Sequence, residues 1–68
     1  MIAEYRESKN MTQKELSVKS GVPLRALQDY EQGQRKLTKA AGITIYKLSK
    51  ILGVSMENLI ESEMKEEV

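Results

Sequence analysis

The 68-residue chain contains no cysteine and no histidine. A disulfide framework, a thiol nucleophile and the common structural zinc sites are excluded on that ground alone. An enzyme is poorly provided for as well, because the carboxylates are scattered along helix-forming stretches instead of being paired for acid–base work. No apolar run approaches the ~20 residues of a membrane span. The opening MIAEYRESKN is charged where a signal peptide would be apolar. The expectation is a soluble cytoplasmic protein with no membrane partner. Proline occurs once, at Pro23, and no period-two alternation is long enough for a strand. Helix is what remains. A chain of this length supports one domain and one small core. Its few short helices leave no room for a separate ligand cavity, so no small-molecule substrate, cofactor or metal is expected.

The net charge of +1 conceals an uneven distribution. Residues 1–50 carry ten Lys or Arg against five Asp or Glu, whereas residues 51–68 carry one Lys against five Glu. The first part is therefore +5 and the second −4. This suggests an anion-facing surface followed by a solvated or partner-facing end. A merely lysine-rich, solvated surface would give the same totals.

Five short helices can be read in order. The first runs from about Ile2 to Lys9, with Asn10 suited to the left-handed residue beyond its end. Thr12 and Glu15 form the T-x-x-E capping box of the second, which buries Leu16 and stops at Gly21. The small Ser17 would let another helix approach closely. Pro23 pre-sets the backbone for the third helix, which runs to about Gln32, buries Leu27 and Tyr30, and is closed by Gly33. Thr38 would cap a fourth from about Lys39 to Leu52. Ala41, Ile45, Leu48 and Leu52 would be its inward stripe, and Gly42 an interior weak point costing about 1 kcal/mol relative to alanine. Tyr46 reads as a half-buried packing residue. Ser55 caps the fifth helix, anchored by Leu59 and Ile60. The domain would occupy residues 1–61, with residues 62–68 an acidic tail expected to fray.

The stretch from Gln13 to Tyr30, QKELSVKSGVPLRALQDY, carries the function. Its apolar or small positions are Leu16, Ser17, Gly21, Val22, Leu27 and Tyr30. Leu24, Arg25, Gln28, Asp29 and Gln32 are left facing outward. A small residue where two helices cross, a glycine in the turn and a polar outer face are what a helix-turn-helix requires. With T-Q-x-E-L-x-x-x-S-G-V, Q-D-Y-E-Q-G and the downstream LTKAAGITIYKLSKILGVSMENLIE, the chain resembles the Cro and phage-repressor type of helix-turn-helix, the XRE family. It is similar to a compact subgroup from Gram-positive bacteria and their mobile elements. The resemblance spans about Ile2 to Glu61.

That resemblance implies an all-α, five-helix lambda-repressor-like domain. It also implies a sequence-specific transcriptional regulator, a repressor binding a two-fold site on double-stranded DNA. Leu24, Arg25, Gln28 and Asp29 would contact bases. The chemistry suits this: Arg25 can fork onto guanine, Gln28 onto adenine, Asp29 can accept from the cytosine amino group, and Leu24 can pack on a thymine methyl. Gln13, Lys14, Gln34, Arg35, Lys36 and Lys39 would lie along the phosphates. Arg6 and Glu31 would form a structural ion pair. Two departures stand out. Pro23 replaces the usual Ser or Thr and offers neither a capping oxygen nor an N–H. Ser20 stands where relatives often carry an apolar residue, which would lower stability.

Met56, Ile60 and Met64 are candidates for the face of a weak homodimer. The other reading of the same fold is a protein-interaction module, an antitoxin, antirepressor or adaptor, whose partner is another protein. An Arg25→Ala variant would separate the two.

Overall fold

The computed structural model describes the backbone of residues 2–66 and the side chains of residues 2–61. Among these residues the chain forms five α-helices and no strand: α1 Ile2–Ser8, α2 Gln13–Ser20, α3 Leu24–Gln32, α4 Gly42–Leu52 and α5 Met56–Glu66. The expected frayed tail, 62–68, falls where side chains lie outside the described residues.

Local chemistry sets most of the boundaries. Asn10 adopts φ 55° after α1, and its N–H donates to the Glu7 carbonyl at 2.9 Å. Thr12 then caps α2. Its Oγ1 accepts the Glu15 N–H at 3.1 Å, and the Glu15 carboxylate accepts the Thr12 N–H at 3.1 Å, so two otherwise unpaired donors are satisfied reciprocally. The Thr12 backbone N–H and side chain hold the Glu15 carboxyl below the usual glutamate range. Gly21 ends α2 at φ 76° and Gly33 ends α3 at φ 80°, conformations that cost glycine little. Ser55 Oγ accepts the Asn58 N–H at 3.0 Å and so caps α5.

The fourth helix departs from expectation. Leu37–Lys39 is a separate 3₁₀ turn, and α4 begins only at Gly42, with Ala41 at its N-cap. Thr38 therefore does not cap α4. The reason is tertiary. Leu37 is buried and Ala40 packs against the same core, and side chains three apart lie on one face of a 3₁₀ turn. Ala40 and Ala41 are then extended, with ψ of 156° and 145°, which redirects the chain so that Ile45, Leu48 and Leu52 point inward. Ala41 is exposed and outside that stripe. Gly42 is the first helical residue, not an interior one, so the interior penalty does not apply.

All five helices and the 3₁₀ turn contribute to one core. Leu16, Leu27, Leu48, Leu52 and Leu59 are fully buried, joined by Ile2, Met11, Val22, Ala26, Leu37 and Ile45, with Tyr5 and Tyr30 packed at the margin. Tyr46 is not among them. It is 47 % exposed on the outer side of α4, where Lys50 Nζ lies 5.7 Å from its ring centroid. The Tyr46 position lies one residue past the buried Ile45, where the 100° step per residue turns a side chain off the inward stripe.

Candidate nucleic-acid interface

Two short helices meet at the turn from Ser20 to Pro23, and serine hydroxyls fasten it. Ser17 Oγ donates to the Val22 carbonyl at 2.7 Å. Ser20, itself buried, donates from Oγ to the Leu16 carbonyl at 2.6 Å and accepts the Val22 N–H at 3.2 Å. A buried hydroxyl normally costs stability unless paired. Here both its donor and an acceptor lone pair are used, so the expected loss at Ser20 is offset by two hydrogen bonds. Ser17 does more than stay small.

Across the turn, α3 buries Ala26 and Leu27 and turns the opposite face outward. Leu24 is 37 % exposed and the Arg25 side chain 84 %, while Gln28 is half-buried and Gln32 exposed. Asp29 differs from these. Its side chain is only 16 % exposed and sits between two guanidiniums, with Arg35 Nε 3.0 Å from Oδ2 and Arg25 Nε 3.6 Å from Oδ1. Its carbonyl also accepts the N–H groups of Gln34, at 2.8 Å, and Arg35, at 3.2 Å. Both ends of this residue tie the α3 terminus to the connection that follows. Pro23 makes no side-chain cap, although its carbonyl accepts the Leu27 N–H at 3.1 Å.

That connection borders an open concavity of about 600 Å³ at the end of α3, lined by Gln34, Arg35, Lys36 and Lys39 together with Tyr30 and Ala40. Four of the six residues expected along phosphates are thus gathered in one place. Of the other two, Lys14 is exposed on α2 and lines a separate shallow depression with Thr12, Glu15, Val18 and Lys19. Gln13 is half-buried at the start of α2, and its Nε2 donates to Glu31 Oε1 at 3.0 Å.

Glu31 is the centre of a three-helix brace. Arg6 of α1 donates to it twice, from Nε to Oε2 at 2.9 Å and from Nη2 to Oε1 at 3.1 Å. The third arm of Arg6, Nη1, donates to the Met11 carbonyl at 2.7 Å. The side chains of Arg6 and Glu31 are 14 % and 7 % exposed. The hydrogen bond to Glu31, opposed by partial desolvation, raises Arg6 above the usual arginine value. A forked pair of this kind fixes direction as well as distance. It sets α1, the start of α2 and the third helix in one rigid relation.

Met56 and Ile60, with Ile45, Glu57 and Glu61, line an open groove of about 400 Å³ along α4 and α5. The Met64 side chain lies outside the described residues. Two exposed apolar residues were not singled out by sequence: Val18 on α2 and Ile43 on α4. The Arg25 and Asp29 contact was legible in principle, since residues four apart on a helix are neighbours. The Gln13 and Glu31 contact, 18 residues apart, had no local signal.

A helix-turn-helix family model matches residues 2–59, which takes in every element up to the first turn of α5. Neither the curated proteins nor the solved structures give a match.

Proposed function

Because the chain belongs to the helix-turn-helix family of the Cro and phage-repressor type, a family of DNA-binding transcription regulators, we propose that it is a sequence-specific repressor acting by occupancy of a two-fold operator. The observation that carries this reading is the outward face of α3. Leu24, Arg25 and Gln28 are presented together on one short helix, while the brace beneath it keeps that helix from swivelling. A helix entering the major groove needs such a face, and each good bidentate contact is worth about 1 to 3 kcal/mol of base discrimination. Arg25 is the contact assigned to guanine.

Affinity is assigned to the phosphates. The concavity formed by Gln34, Arg35, Lys36 and Lys39 lies where a backbone would run past the end of α3, and Gln13 and Lys14 flank the other helix. Each neutralised phosphate should contribute roughly −0.9 to the slope of log affinity against log salt. Occupancy is the whole activity, and no reaction is assigned to the chain. Its action is placed in the cytoplasm, where an operator is accessible.

One module of this size covers only about 600 to 1,000 Å² on DNA, so tight binding calls for two copies on half-sites about one helical turn apart. The groove at Ile45, Met56 and Ile60 is the proposed seam. Glu57 and Glu61 at its rim would face their own counterparts across a two-fold axis, which makes the dimer weak and favours it at higher salt. Sedimentation showing a strict monomer at high concentration, with full affinity for an isolated half-site, removes the dimer. The same apolar groove supports a second reading, an antitoxin, antirepressor or adaptor that holds another protein there. Selection of bound sequences from random duplex DNA, repeated with Arg25→Ala, decides between them. The repressor reading expects an enriched motif in which the variant loses the preference at the base pair assigned to Arg25. No enrichment at low salt would sink it.

A further inference from the structure

We infer that Asp29 positions the two arginines on either side of it and does not itself read a base, an inference that rests on the proposed role of α3 in the major groove. Three observations carry it. Each carboxylate oxygen faces a guanidinium, Oδ2 toward Arg35 Nε at 3.0 Å and Oδ1 toward Arg25 Nε at the longer ion-pair distance of 3.6 Å. The residue is largely covered, at 16 % exposure, on a helix face whose neighbour Arg25 is 84 % exposed. And both arginines are met through Nε, the proximal nitrogen.

The last point decides what the arrangement can do. A guanidinium carries its five donors in a rigid fork, and the pair of terminal Nη groups is enough for a bidentate grip on guanine or phosphate. Holding each arginine by Nε leaves those Nη groups for the nucleic acid. Arg25 would then be biased to offer its fork to bases from α3, while Arg35 would offer one to the backbone from the following turn. Ordering a long side chain before binding removes part of the entropy cost that binding would otherwise carry. The charges also balance suitably: one carboxylate between two guanidiniums leaves the trio at +1, so Asp29 can lie beside the groove without repelling phosphate. Its carbonyl, accepting from Gln34 and Arg35, holds the turn itself in register with the side-chain contacts. One residue thus links the element assigned to specificity with the element assigned to affinity.

The test is Asp29→Asn, which keeps the shape and removes the charge, with Asp29→Glu as the conservative rescue. Selection from random duplex DNA is run on wild type, both Asp29 variants, Arg25→Ala and the Asp29→Asn/Arg25→Ala double variant, with melting curves to confirm that each is folded. The expected result is an unchanged preferred sequence in Asp29→Asn. Discrimination should fall by about 2- to 5-fold at the one base pair whose preference Arg25→Ala abolishes, the range of an exposed ion contact. In the Arg25→Ala background Asp29→Asn should add little at that base pair, and Asp29→Glu should restore most of the loss. In the free protein, ¹⁵N relaxation of the arginine Nε–H groups should show Arg25 and Arg35 ordered in wild type and loosened in Asp29→Asn. A new preferred base at a position that Arg25→Ala leaves alone would make Asp29 a base reader and overturn the inference. An unchanged selection profile in Asp29→Asn overturns it too. No enriched motif for wild type overturns the sequence-specific reading and this inference together, so the two failures are distinguishable.

Discussion

Glu31→Ala tests whether α3 is held by the brace or merely rests on the core. The substitution removes the acceptor of three hydrogen bonds, two from Arg6 and one from Gln13. It leaves a guanidinium whose side chain is 14 % exposed with only the Met11 carbonyl for company. Breaking a fully buried ion pair from one side costs about 3 to 5 kcal/mol. Arg6 keeps some access to water and one partner, so the lower end, about 3 kcal/mol, is the expected value. A domain of this length has on the order of 3 to 10 kcal/mol in all. At about 4 to 8 °C per kcal/mol, the melting midpoint should drop by roughly 15 °C. Urea denaturation gives the free energy, with calorimetry as a check on two-state behaviour. The companion variant Arg6→Met/Glu31→Leu removes both charges and should be clearly more stable than Glu31→Ala, since no unpaired ion is left behind. A cost below about 1 kcal/mol for Glu31→Ala, the range of exposed pairs, would refute the reasoning. The pair would then be two solvated charges in contact.

Three further outcomes are expected. Gly42→Ala should stabilise the fold by about 0.4 to 1 kcal/mol, because the first residue of α4 has no left-handed φ and an added Cβ meets nothing within 4 Å; a fall in the urea midpoint would count against this. Ser20→Ala should cost about 1 to 3 kcal/mol by stranding the Val22 N–H beside a buried position, measured by the same denaturation, and a neutral result would mean that water replaces the hydroxyl. The Glu15 carboxyl has a folded value lowered by Thr12, so its contribution is present above the unfolded glutamate value and is lost as pH falls through the lowered folded one. Glu15→Gln, which removes the titrating group, should accordingly flatten the acid side of the stability–pH curve, and an unchanged slope would remove the capping box from the account.

Much of this fold was legible where the signal is local. The T-x-x-E box at Thr12, the left-handed Asn10, and the helix-ending glycines 21 and 33 each require only a few neighbouring residues to act. The sequence pattern also placed Leu24, Arg25 and Gln28 outward, because Ala26 and Leu27 must face in. What misled was Thr38. A threonine before an apolar helical period has the form of an N-cap, but the burial of Leu37 bent the chain into a 3₁₀ turn and delayed the helix to Gly42. That outcome depends on where the core lies, which no short window contains. Asp29 was read by its chemistry as an acceptor for cytosine. Its two guanidinium partners come from Arg25 on the same helix and Arg35 beyond it, and only the path of the intervening turn brings the second within 3.0 Å. The partner of Gln13 was hidden for the same reason.

The two kinds of fastening in this chain also differ in how soon they can form. The hydroxyl contacts at the helix turn join residues no more than five apart, whereas the Arg6 and Glu31 pair closes a loop of 25. Closing short loops costs little entropy and takes only about 10 to 100 ns for ten residues. During synthesis, the turn around Gly21 has all its partners once Val22 has emerged, while Arg6 must wait for Glu31. On loop length alone the turn is expected to form early and the brace to act as a late lock. Weakening the lock should leave the folding rate almost untouched and shorten the lifetime of the folded state.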